Sequence, residues 1–167
     1  VYFQMEEAFE WSHSNTFWAP DVIRLNDGTF KMYYCNCQGD TPVSCLGIAT
    51  SDSVAGPYTN EGILLKSGMG ADEEDEDGNL YQATVDPNAV DPVVFYDKEG
   101  RLWMIYGSYS GGIFVKELDA ETGEPLEGGY GTKLLGGNHL RIEAPYVIYN
   151  PDTDYYYMFL SFGGLDS

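Results

Sequence analysis

Phe17-Trp18-Ala19-Pro20-Asp21-Val22-Ile23, then Asn26-Asp27-Gly28, then Phe30-Lys31-Met32-Tyr33-Tyr34 is a plan that the chain repeats. The second copy is Ala89-Val90-Asp91-Pro92-Val93-Val94-Phe95, Asp97-Lys98-Glu99-Gly100 and Leu102-Trp103-Met104-Ile105-Tyr106. The third is Ile142-Glu143-Ala144-Pro145-Tyr146-Val147-Ile148, a turn from Asn150 to Asp154, and Tyr155-Tyr156-Tyr157-Met158-Phe159-Leu160. Each opens on X-Pro, runs through a short apolar strand and a polar turn, and returns as an aromatic strand. Proline is tolerated at the first residue of a strand, where no ladder hydrogen bond is yet needed. Asn-Asp-Gly and Asp-Lys-Glu-Gly supply the conformations a hairpin tip demands. The spacings between Pro20, Pro92 and Pro145 leave room for two more strands per repeat. Val43 to Thr50 with Gly62 to Lys66, and Gly112 to Leu118 with Lys133 to Leu135, are the candidates. Four antiparallel strands per repeat, arranged radially, make a β-propeller blade. A plain β-sandwich would also give short strands, but not a shared X-Pro opening. No stretch carries a sustained 3.6-residue period, so very little helix is expected.

Composition agrees with an all-β chain. The 167 residues suffice for one domain with a sizeable core. With 14 Tyr, 8 Phe, 3 Trp and 20 Gly, the chain suits pleated, half-buried strands joined by tight turns. Eight Lys and Arg against 27 Asp and Glu give a net charge of −19, which repels nucleic acid and anionic membrane surfaces. A neutral ligand such as a glycan is compatible with that field, though acidic surfaces also serve solubility alone. No apolar run approaches the roughly 20 residues of a membrane span, and none reads as a signal peptide. Val1 to Gln4 reads either as the remnant of a cleavable tag or as part of a native strand.

Cys35, Cys37 and Cys45 fall in one expected hairpin. With its loop centred on Asp40, Cys35 and Cys45 face each other, leaving a cross-strand disulfide and buried free thiols both open. A zinc site is not expected, for want of a second ligand pair. The acidic run from Asp72 to Asp77 lacks the spacing of an EF-hand and reads as a solvated loop. His13 and His139 are the two histidines. The second, just before Glu143, reads equally as cavity lining or as a loop hydrogen-bonding group.

Five segments, in order, resemble family 43 glycoside hydrolases. They are Trp18-Ala19-Pro20-Asp21-Val22; Gly47 to Ser53 with Gly56-Pro57-Tyr58; Asn88-Ala89-Val90-Asp91-Pro92; Tyr106-Gly107-Ser108-Tyr109; and Glu143-Ala144-Pro145-Tyr146. The likeness runs from about Phe9 to Gly164. Tyr106 to Gly112 and Phe159 to Gly164 look most like the arabinanases, especially secreted endo-acting ones. The resemblance implies a partial five-bladed β-propeller, a single domain over 1–167 with blades at about 9–70, 86–136 and 137–167. It implies inverting hydrolysis of α-1,5-L-arabinan in plant cell-wall polysaccharide, with a β-xylosidase or α-L-arabinofuranosidase of the same family as the alternative. A non-catalytic glycan-binding or assembly module is the rival from another class. No cofactor is implied for these residues; relatives of this type hold a cation on the propeller axis, anchored by other blades.

The resemblance makes Glu143 the general acid and Asp91 the carboxylate that orients it and adjusts its pKa. The residues support that pairing. Both stand at the head of a repeat beside the proline, and equivalent strand heads converge on a propeller's axis. Apolar neighbours Val90, Val93, Ile142 and Tyr146 would desolvate the pair and raise a carboxyl pKa. Their bland alternative is that both acids cap surface turns. Trp18, Tyr109 and Phe162 are candidates to stack on sugar faces. Asn88 and Ser108 are candidates to hydrogen-bond sugar hydroxyls. Trp103 and Tyr155 to Tyr157 are expected to fill the core between blades.

The family's water-activating aspartate belongs to the blade before Trp18, where this sequence offers only Glu6, Glu7 and Glu10, none in an Asp-Pro strand head. Asp21 falls two places beyond the Asp91 position and is expected to be structural or positioning. About two and a half blades of a five-blade plan are thus expected. Completion by a separate chain, pairing of two copies and truncation are the three readings of that count.

Overall fold

The computed structural model describes residues 6–39, 41–68, 74, 78 and 80–164. Among the described residues one short helix, α1 (Glu6–Ser12), precedes ten strands. β1 (Asp21–Arg24), β2 (Phe30–Cys37), β3 (Ser44–Ser51) and β4 (Thr59–Ser67) form one antiparallel sheet in sequence order. β5 (Val93–Tyr96), β6 (Leu102–Tyr106), β7 (Ile113–Leu118) and β8 (Thr132–Leu135) form a second of the same order. β9 (Ile142–Asn150) and β10 (Tyr155–Phe162) pair as a third, two-stranded sheet. These are two complete propeller blades and the inner half of another.

Turn chemistry closes the hairpins as the residues demand. Gly28 and Gly100 adopt φ of 96° and 82° in equivalent turns. The carboxylates of Asp27 and Asp97 accept backbone N–H groups two residues on, from Thr29 and Glu99. Successive side chains then face opposite sides of each sheet, and β3 and β6, covered on both faces, are buried almost throughout. On β6, Leu102, Met104 and Tyr106 face the first blade in one cluster with Tyr33, Cys35, Leu46 and Ile48. Ile105 of β6 and Val93 of β5 face the other way, against Ile142, Val147 and Met158 of the third sheet. Helix α1 covers the outer face of the first blade, its Ala8, Phe9 and Trp11 packing on Tyr34, Cys45 and Tyr58.

Several local expectations are corrected. Cys35 pairs with Leu46 and Asn36 with Cys45, so the hairpin lies one residue from the expected register. A one-residue shift sends a side chain to the opposite face. Cys35 and Cys37 accordingly lie in the inter-blade core and Cys45 under α1, all as free thiols. Pro145 is inside β9, not at its head. The ladder slips there: Tyr146 pairs with Phe159 and Glu143 with Ser161, so Ala144 and Pro145 oppose one residue. That bulge absorbs the missing N–H. Trp103 caps a turn, its indole N–H donating to Asp97 at 2.8 Å with Arg101 over its ring. On β10, Tyr156 bridges to the second blade, packing on Phe95 and Tyr149 as the expected inter-blade core requires. The acidic run from Asp72 to Asp77 lies, but for Glu74, outside the described residues.

Candidate active site

Asp91 stands at the junction of the second and third sheets with a backbone φ of 52°. A left-handed backbone is uncommon for any residue but glycine, though Asp tolerates it better than most. The segment is pinned on both sides: Gly107 donates its N–H to Val90 O at 2.9 Å, and buried Ser67 accepts the Ala89 N–H at 2.9 Å. The Asp91 carboxylate accepts the Ala144 N–H at 3.2 Å, reaching the residue that follows Glu143. Ala144 is itself left-handed, with φ of 52°, at the β9 bulge. The bulge therefore turns an N–H toward Asp91 and brings Glu143 beside it.

Electrostatics show the two acids in one environment. Burial pushes the Asp91 carboxyl above its usual range, and the Glu143 charge pushes it further, against the opposing Ala144 N–H. Cys35 lies beneath. Its thiol donates to Ala19 O at 3.8 Å, and its carbonyl accepts the Trp18 N–H at 3.2 Å. The same sulfur lies against the backbone N–H of Asp91. Cys35 thus connects Trp18 to Asp91 across the first two blades, which sequence reading had not placed together.

The other expected residues divide by exposure. Phe162 is 80% exposed at the end of β10, next to the strand that carries Glu143, and Trp18 is 44% exposed. The Asn88 carboxamide oxygen accepts Ser110 Oγ–H at 2.9 Å, which fixes the amide with its NH2 as the group left to donate. Ser108 is buried. Tyr109 is half-buried, its hydroxyl donating to Gly163 O at 3.0 Å. His139 donates its backbone N–H to Ser110 O, with its ring exposed. Asp21 is engaged structurally: its carboxylate accepts the N–H groups of Val94 at 2.7 Å and Val22 at 3.0 Å. Glu10 is exposed on α1.

Two carboxyl groups from neighbouring blades, one with a raised pKa, flanked by exposed aromatic rings, match a known pattern over the whole chain. The profile of glycosyl hydrolases family 43 matches residues 1–167. The chain belongs to that family. An extracellular endo-alpha-(1->5)-L-arabinanase 2 of Bacillus subtilis is 59% identical over 168 residues, covering 100% of this chain and 35% of that protein. An extracellular endo-alpha-(1->5)-L-arabinanase of Thermotoga petrophila is 53% identical, over 98% and 36% respectively. Among solved structures, a family 43 glycoside hydrolase from Bacillus licheniformis superposes with a TM-score of 0.93 at 58% identity, over 97% of this chain and 36% of that one. The family 43 chain thus spans about a third of the length of these relatives.

Proposed function

We propose that this chain supplies two of the three catalytic carboxyl groups of a secreted enzyme that hydrolyses α-1,5-L-arabinan. Glu143 protonates the leaving glycosidic oxygen, and Asp91 holds Glu143 in place and tunes its proton affinity. The observation that carries the reading is the hydrogen bond from Ala144 N–H to the Asp91 carboxylate, on the β9 bulge beside Glu143. The relatives' extracellular and arabinanase names support the substrate and the location.

In the inverting reaction of this class, a second carboxylate activates water on the opposite face of the sugar, about 6.5–9.5 Å from the acid. Asp21 is not that base in this reading, because its oxygens accept two backbone N–H groups. The base comes from outside these residues, in the part of the relatives' length that the chain does not span. Trp18 and Phe162 offer apolar platforms to the sugar faces, and the Asn88 amide, its NH2 oriented to donate, reads the sugar hydroxyls.

The test is arabino-oligosaccharide release from linear arabinan, with xylan as control, by the full-length protein and by its Glu143→Gln variant. Activity on arabinan that falls about 10²–10⁴-fold in the variant supports the assignment. Release from xylan but not arabinan overturns the substrate, and an unaffected Glu143→Gln variant overturns the acid.

A further inference from the structure

The loop between β6 and β7, Gly107 to Gly112, touches both acid-bearing segments. On one side, Gly107 N–H donates to Val90 O at 2.9 Å, Gly111 N–H to Asp86 O at 2.8 Å, and Ser110 Oγ–H to Asn88 at 2.9 Å. These fix the segment that ends in Asp91. On the other side, Tyr109 N–H donates to Ile142 O at 2.8 Å, His139 N–H donates to Ser110 O at 3.0 Å, and Tyr109 Oη–H donates to Gly163 O at 3.0 Å. These fix the residue before Glu143 and the end of β10, whose Ser161 is Glu143's cross-strand partner.

Tyr109 carries the second set almost alone. Its backbone φ is 44°, a conformation that a bulky aromatic residue adopts only when its surroundings over-determine it. In that conformation its N–H and its side chain reach the two strands of the third sheet together. The flanking glycines allow the approach: a Cβ on Gly111 would stand 2.1 Å from Val85 O, and one on Gly112 2.1 Å from Leu135 O. The loop is therefore seated between blades with no slack.

We propose that Tyr109 is a positioning residue for the general acid, a two-point latch that sets Glu143 relative to Asp91. It acts through the Ile142 carbonyl and the Gly163 carbonyl rather than by touching the sugar. This rests on Glu143 being the acid, and the test separates the two ideas.

A positioning residue of this kind matters in proportion to how much protonation the leaving group needs. Tyr109→Phe in the full-length enzyme keeps the ring and removes only the hydroxyl. On arabinan, whose leaving group is a hydroxyl of the next sugar, kcat should fall about tenfold with KM unchanged. On a 4-nitrophenyl-capped arabino-oligosaccharide, whose leaving group departs without protonation, the loss should be about twofold or less. Tyr109→Asn, which tolerates the positive φ but cannot reach Gly163, should show the same contrast and guards against a folding defect peculiar to one variant. Glu143→Gln, run alongside, should show it most strongly. A raised KM with equal losses on both substrates makes Tyr109 a sugar contact and overturns the latch. A lowered unfolding midpoint without leaving-group dependence makes it merely structural and also overturns it. If Glu143→Gln itself lacks the contrast, the acid assignment fails and the latch fails with it; if only the Tyr109 variants lack it, the latch alone fails.

Discussion

The two inter-blade junctions use the same device to different ends. At the first, the Asp21 carboxylate accepts Val94 N–H from the next blade at 2.7 Å, and Val22 N–H as well. At the second, the Asp91 carboxylate accepts Ala144 N–H from the next blade at 3.2 Å. Asp21 is satisfied by two donors beside a large sealed core of Tyr33, Leu46, Met104 and Tyr106. Asp91 has one longer bond, which favours its charge, set against burial and the acidic neighbour Glu143, which disfavour it and prevail. The lesson is that a carboxylate's proton affinity is set by what its surroundings withhold as much as by what they supply. Asp21 and Asp91 stand two places apart in the repeat, so different strand positions bridge the two junctions, with two donors at the first and one donor and an acidic neighbour at the second.

The strongest way to break the comparison is to neutralise each aspartate. Asp91→Asn should cost about a hundredfold in turnover of arabinan by the full-length enzyme. It should also relieve strain. A carboxyl whose folded pKa lies above its unfolded value contributes stability below the unfolded value and loses it as pH rises through the folded one. The unfolding midpoint of Asp91→Asn should therefore climb relative to the parent as the pH is raised from 4 to 7, while activity stays low. A midpoint difference independent of pH would show that Asp91 is not strained in this way.

Next in size is a change confined to the first blade. Tyr34 lies across the strand partner Gly47, and a Cβ there would stand 2.1 Å from the buried Tyr34 ring. Gly47→Ala should cost about 3 kcal/mol in chemical denaturation through overpacking. The rate per folded molecule should be unchanged, because the residue faces away from the second junction. Smallest is Asp21→Ala, which leaves the buried-side Val94 N–H without its charged acceptor. A loss of about 2 kcal/mol in the same denaturation experiment, with KM and kcat retained, would confirm a strut. A loss of turnover rivalling that of Asp91→Asn would erase the distinction between the junctions.

Much of this arrangement was legible in the residues. The X-Pro openings, the Asn26-Asp27-Gly28 and Asp97 to Gly100 turns and the aromatic returns are local signals. They gave the order of the ten strands and brought Asp91 and Glu143 to neighbouring strand heads. Less legible was anything that depends on parity or on a single rotated peptide. The Cys35–Cys45 pairing failed because a loop centred one residue away exchanges the faces of a strand. Pro145 was read as a strand start, since nothing in Glu143-Ala144-Pro145 announces a bulge with Ala144 at φ 52°. Tyr109 read as a sugar platform from its type alone; its hydrogen bonds to Ile142 and Gly163 join residues 33 and 54 positions away.

By itself, the sequence determined the class of fold and the family and singled out Asp91 and Glu143 as candidates, because periodicity, turn residues and motif order are properties of short segments. Only the tertiary structure decided which N–H meets which carboxylate, and so which aspartate is a strut and which is held raw beside Glu143. That choice is made across blades, between segments more than fifty residues apart, where burial and charge depend on neighbours that no short stretch of sequence contains.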